Sequence, residues 1–228
     1  MFCSHCGAQI EAGASTCGMC GKSVASVGAA AGRAAEQAQA ASRDAMRVLG
    51  RLAVNPVGTL AQSYNELGDK RAFGAGIAFG VIFVIAMTIG TLLFVRRVWL
   101  LSPELIDYFG VPLGGAAAYL ATFVTLLIVR KVGSGGASRP GFGGDAFVAG
   151  AATMPVAVMS LLAGLLGMGN FEVMALMWVF VASYCVLILY TGCTKISGLS
   201  DGAAAVSVPI VLLISTWLTK IVLTAIIF

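Results

Sequence analysis

Apolar residues gather into five long uncharged runs, Ala72 to Val95, Gly110 to Val129, Ala146 to Gly167, Val173 to Thr194 and Gly202 to about Thr219, the last resuming past Lys220 to residue 228. A helix needs about 20 apolar residues to cross about 30 Å of hydrocarbon, because every backbone amide must be satisfied within the segment. The pattern therefore predicts an all-α membrane protein built on a bundle of five transmembrane helices, spans about 72–95, 110–129, 146–167, 173–194 and 202–228. Ahead of the first run the pattern changes. Residues 1–71 carry seven Lys/Arg and five Asp/Glu, as many as the much longer remainder. Within that polar third, Asn55-Pro56 reads as an N-cap followed by proline at the first helical position. Val57, Leu60, Ala61, Tyr64 and Leu67 then fall roughly on one side, the pattern of an amphipathic helix lying at the interface before the first span. Residues 23 to about 32, rich in Ala, Gly and Ser, read as a flexible tether. From about Arg33 to Leu52 alanine predicts helix, with Arg43, Arg47 and Arg51 on one face at i, i+4 and i+8. That stripe suits contact with anionic headgroups at the membrane surface. The expected division is 1–22, 23–54 and 55–228.

Composition sharpens this picture. The chain is 59% apolar and 11% charged, against roughly 25% charged in soluble domains, so an ordinary water-soluble enzyme is excluded. Five spans put the termini on opposite sides, and the Lys/Arg bias decides which. With the N-terminus in the cytosol, eleven cations lie inside: Lys22, Arg33, Arg43, Arg47, Arg51, Lys70, Arg71, Arg130, Lys131, Arg139 and Lys195. Only Arg96 and Arg97 lie outside. The C-terminus is expected outside. A net charge of +4 gives no reason to expect nucleic acid.

Asp145, Glu172 (after Asn170) and Asp201 (after Ser200) stand near the starts of three spans, where a carboxylate complements the helix dipole; capping is the expected role. Lys220 is the one charge inside a span. It lies eighteen residues beyond Gly202, about 27 Å along the axis, where it can snorkel to the outer interface. Pro155 and Pro209 fall inside spans and are expected to kink them. With Lys220 they are the candidate intramembrane functional residues. Gly76 with Gly80, and Gly110 with Gly114 and Ala118, have the small-residue spacing that lets helices approach closely; the same spacing allows a homo-oligomer. Cys185 and Cys193 read as small packing residues.

The most specific chemistry is at the start: Cys3-Ser4-His5-Cys6-Gly7, then Cys17-Gly18-Met19-Cys20-Gly21. Two C-x-x-C knuckles can bring four thiolates to the corners of a tetrahedron, and a glycine after each pair permits the tight turn. Cys3, Cys6, Cys17 and Cys20 are predicted to ligate one structural Zn²⁺, a closed site with no position left for water or substrate. His5 is expected to stay exposed in its loop. This segment has almost no apolar core of its own, so metal binding and folding should be one event. With Lys22 its only Lys or Arg against Glu11, it has no basic face for phosphates; a protein contact fits better.

The Asn-Pro-initiated helix from Asn55-Pro56 to Leu67 and five spans after a cytosolic N-terminus, with Met154-Pro155 in the third span and Gly198-Leu199-Ser200-Asp201-Gly202-Ala203 before the fifth, resemble the Yip (Ypt-interacting protein) family of integral membrane proteins over about residues 55–228. The first 21 residues look like the short zinc ribbon often found ahead of prokaryotic membrane domains. The resemblance implies a prokaryotic plasma-membrane protein. Eukaryotic Yip proteins bind Rab-type GTPases in vesicle traffic, but a ribbon replaces their long soluble N-terminal region here, and no binding residue carries over. Two functions follow as expectations. One is a non-enzymatic membrane adaptor whose cytosolic ribbon binds a protein partner while the bundle sits in the lipid bilayer. The other is a small-solute permease or channel using Pro155, Pro209, Lys220 and hydroxyls such as Thr122, Thr125, Ser183, Tyr184 and Thr216. No enzyme is expected: there is no His-Glu-x-x-His, no P-loop, and the single histidine lies in the ribbon.

Overall fold

A computed structural model describes residues 2–3, 5–11, 16–22, 27–97, 110–133, 141–167 and 171–227. Residues 23–26 of the expected tether, Arg139 and Asn170 lie outside them. The chain divides into two compact units, Met1–Ala40 and Ala41–Phe228.

In the first unit the chain makes the same knuckle twice. The Gly7 amide donates to the Cys3 carbonyl (2.9 Å) and the Cys3 amide to the Ala8 carbonyl (2.8 Å); Gly21 to Cys17 (2.8 Å) and Cys17 to Lys22 (2.9 Å) repeat the pattern. Gly7 and Gly21 take φ of 70° and 68°, a left-handed conformation that a side chain would strain. Among the described residues there is no β-strand; Phe2 and Gln9 form an isolated bridge.

Helix α1 covers Val27–Val54. The alanine-rich segment is already helical at Val27, where a tether was expected to continue to about residue 32. From Ala41 onward α1 belongs to the second unit, and its Ala45, Val48 and Leu52 join the main core. Asn55 then caps the next helix as expected: its side-chain Oδ1 accepts from the Gly58 amide at 2.8 Å. A Cβ on Gly58 would meet the Asn55 side chain at 2.6 Å, so the glycine keeps that cap open.

Helix α2, Pro56–Arg97, is interrupted at Gly68 (φ 71°, ψ 163°). The break separates the juxtamembrane helix, residues 56–67, from the first span. On the juxtamembrane helix Leu60 is buried and Tyr64 and Leu67 pack on the core, whereas Val57 points outward. The remaining spans are α3 (Gly110–Gly133), α4 (Phe142–Leu166), α5 (Phe171–Thr191) and α6 (Asp201–Ile227). Five helices are long and apolar enough to cross a membrane, which marks an integral membrane protein.

Helix α4 is the axis of the bundle: 61% of its apolar window is buried, against 17–28% in the other four. It lies directly on α2 because glycines remove the side chains between them. Gly76 faces the backbone of Ala146 and Phe147, Gly150 approaches the Gly76 carbonyl at 2.6 Å, Gly90 faces Ser160, and Gly164 approaches the Gly90 carbonyl at 2.5 Å (distances from an added Cβ). The matched order, 76 to 90 beside 146 to 164, makes the two helices parallel over about 21 Å. Of the expected Gly76/Gly80 pair, only Gly76 joins this seam; Gly80 abuts the ring of Tyr119 on α3. Both glycines are used within one chain. Pro155 lies inside helix α4 and Pro209 inside α6, each helix being continuous across its proline. The last turn of α5 widens into a π-helix at Gly192–Ile196. Gly198 (φ 64°) then turns the chain, and the Ser200 hydroxyl oxygen accepts from the Ala203 amide at 3.3 Å to start α6.

Candidate metal centre and polar sites of the bundle

The two knuckles bring Cys3, Cys6, Cys17 and Cys20 together, all four Sγ atoms lying within 4.8 Å of one another. Cys3 and Cys20 are 3.7 Å apart and Cys6 and Cys17 3.6 Å. A tetrahedron of sulfurs about 2.3 Å from zinc has edges of about 3.8 Å, close to these two separations, so the four thiolates are gathered as one Zn²⁺ requires. All four cysteines are free. Backbone amides prepare two of them. The amides of His5 and Cys6 hold the Cys3 thiol below its ordinary range, and those of Cys20 and Met19 bring Cys17 down to about 6. At Cys6 the Ala8 amide favours the thiolate, but the neighbouring sulfurs of Cys3, Cys20 and Cys17 push it up to about 12. Four sulfurs complete a zinc shell, so this centre is structural. His5 is exposed and contributes its amide instead of its ring.

In the bundle, charged residues do more than the sequence indicates. Asp145 was expected to cap α4. Gly141 occupies the N-cap position without a side-chain cap, and the Asp145 carboxylate instead pairs with Arg130 of α3, Nε to Oδ2 at 2.7 Å, with side-chain exposures of 2% and 14%. The Ser197 hydroxyl donates to Asp145 at 3.4 Å. Three chain segments, the end of α3, the start of α4 and the turn after α5, thus meet at one buried ion pair. Glu172 and Asp201 stand in the first turns of α5 and α6 and are exposed, as dipole complements should be.

The α1 arginines divide. Arg43 and Arg47 are exposed, while Arg51 pairs with Glu66 of the juxtamembrane helix at 2.6 Å. A second clasp was not foreseen: Arg71 donates to both oxygens of Asp44 at 2.8 Å through Nη2 and through Nε at 3.0 Å. It joins α1 to α2 across 27 positions of sequence, a distance over which no local pattern signals a partner.

Two cavities separate the residues grouped as intramembrane candidates. One, about 460 Å³, lies among α1, α4 and α5 and is lined by Leu49, Pro155, Phe180 and Tyr184. The other, about 690 Å³, is lined by Thr122, Thr216 and Lys220. Pro209 lines neither. Thr125 is buried and bonds the Ala121 carbonyl (2.7 Å), and Ser183 bonds the Val179 carbonyl (2.8 Å), each within its own helix. Cys185 donates to the Ala152 carbonyl at 3.2 Å, joining α5 to α4, and Cys193 is a buried core residue.

No curated protein and no solved structure matches this chain. The likeness to Yip proteins over 55–228 therefore rests on its sequence motifs alone. Residues 2–24 match the zinc-ribbon domain family, which is the part of the chain that the four-cysteine geometry describes.

Proposed function

We propose that the protein is a non-enzymatic membrane adaptor of a prokaryotic plasma membrane, with its zinc ribbon in the cytosol binding a protein partner and its Yip-like bundle holding the ribbon at the bilayer. The observation that carries this reading is the closed four-sulfur centre combined with an outward apolar surface. Phe2 and Met19, one from each knuckle, are 74% and 83% exposed. A metal that can bind no substrate serves to present a surface, and exposed large apolar side chains on so small a module suit a protein contact. The excess of Lys/Arg on the ribbon side supports the orientation.

The test is crosslinking in intact cells with three forms: the unaltered chain, Cys3→Ser/Cys6→Ser, which removes the metal, and Phe2→Ala/Met19→Ala, which keeps it. Partners lost in both variants support the adaptor. Identical partner sets in all three reject it. The permease reading has less behind it, because its candidate residues fall into separate cavities and several hydroxyls are engaged within their own helices.

A further inference from the structure

The larger cavity has a chemistry that the adaptor reading leaves unused. Its lining follows α6 from Leu212 to Thr224, about 18 Å along the helix axis. Lys220 stands nineteen residues from Asp201 at the start of α6, about 29 Å away, so its ammonium sits at headgroup depth in a bilayer with a core about 30 Å thick. From there the cavity reaches roughly to the midplane, the course of one acyl chain. Its deeper wall is apolar: Phe83, Met87, Val156, Leu189 and Leu212.

Five of the six hydroxyls on the wall, all but that of Thr216, spend their protons within their own helices. Thr122 donates to the Ala118 carbonyl (2.8 Å), Thr153 to Gly150 (2.8 Å), Ser215 to Leu212 (3.2 Å), Thr219 to Ser215 (2.7 Å) and Thr224 to Lys220. A polar solute would find few donors there. The charged donor is Lys220, and among the described residues no carboxylate pairs with it. The rim is open: Trp178 of α5 and Thr216 and Lys220 of α6 are exposed, on the flank that faces lipid in a membrane. An unpaired cation at headgroup depth over an apolar slot of about 690 Å³, a volume in the range of ligand sites, calls for a negative head on a hydrocarbon tail.

We infer that this cavity is a binding site for an anionic phospholipid of the surrounding bilayer, the lipid phosphate resting on Lys220 and one acyl chain running between α5 and α6 toward Leu212. The site is independent of the ribbon's partner, and its test does not involve the ribbon.

The full-length zinc-loaded protein is placed in phosphatidylcholine nanodiscs containing trace tail-spin-labelled phosphatidylglycerol or, separately, labelled phosphatidylcholine. The motionally restricted fraction is read by electron paramagnetic resonance. The unaltered protein should retain phosphatidylglycerol about fivefold over phosphatidylcholine, the preference expected of one cation at the membrane surface. Lys220→Met should bring the ratio to about one, and Lys220→Arg should keep it. Ala118→Phe, which fills the slot and leaves the lysine in place, should remove the restricted phosphatidylglycerol; Thr122→Phe does the same from the next turn if the first variant does not fold. A preference that survives Lys220→Met overturns the site. So does undiminished binding in a folded slot-filled variant, since the lysine would then be only one of the general surface charges.

Discussion

The two units of this chain reach a defined structure by opposite means. The ribbon has a core cluster of three buried residues, Cys3, Ile10 and Cys17, and two of the three are metal ligands. A core that small leaves the fold to be held by the metal its four cysteines can bind. The bundle has a large apolar core, but in a bilayer apolar burial does not by itself bring helices together, because lipid tails are as apolar as leucine. Its specificity comes from glycines that let α2 touch α4 and from buried polar contacts such as Arg130–Asp145. One unit depends on what it binds, the other on what it leaves out between its helices.

The comparison breaks most visibly when the metal is withdrawn. Structural zinc contributes an apparent binding free energy of about 10–16 kcal/mol in zinc-ligated peptides, more than so small a core can replace. Chelation should therefore convert amides 2–22 to fast hydrogen exchange while the helices from Ala41 onward keep their protection, as peptide-resolved exchange mass spectrometry would show. Coupled loss of protection in both units would mean that they are not energetically separate.

Next in size is the ion pair. Removing one partner of a buried pair costs about 3–5 kcal/mol, because the other charge is stranded, whereas replacing both by apolar residues is far less costly. Arg130→Met or Asp145→Leu alone should lower the thermal unfolding midpoint in detergent strongly, and the double variant should recover most of it. Equal losses in singles and double would show that the residues do not act as a pair.

The seam comes third. Gly150→Val places a side chain against the Gly76 carbonyl and should cost about 1–3 kcal/mol by overpacking, without changing zinc content. A neutral result in the same unfolding assay would remove close α2–α4 contact from the account. Smallest is the cap: Asn55→Ala should cost about 1 kcal/mol, read as faster exchange at the first amides of the juxtamembrane helix. No change there would assign the helix start to Pro56 alone.

What could be read from the sequence divides along the same line. The four ligands lie within eighteen residues, and a knuckle is a local object, so C-x-x-C-G pairs declare both its turn and its chemistry. The spans are legible because crossing a membrane imposes a length. Partners across the bundle are not local. Asp145 near the start of a helix reads as a dipole complement until α3 brings Arg130 to it, and with 29 glycines in the chain nothing in the pattern singles out Gly90, Gly150 or Gly164 as points of contact. The packing of α1 escaped for a related reason: its alanine-rich surface carries too little apolar periodicity to announce Ala45, Val48 and Leu52 as a buried face. Lys220 stands out in the sequence as the one charge inside a span, but the slot beside it is made by five helices and belongs to none of their sequences.

The parallel seam also sets an order of manufacture. Gly76 and Gly150 meet across 74 positions of sequence, and α3 must be threaded in the opposite sense before α4 can be laid beside α2. At about 5–20 residues per second, the ribosome completes the first half of this contact roughly 4–15 s before the second exists. During that interval the glycine face of α2 exists without the helix that covers it in the finished bundle.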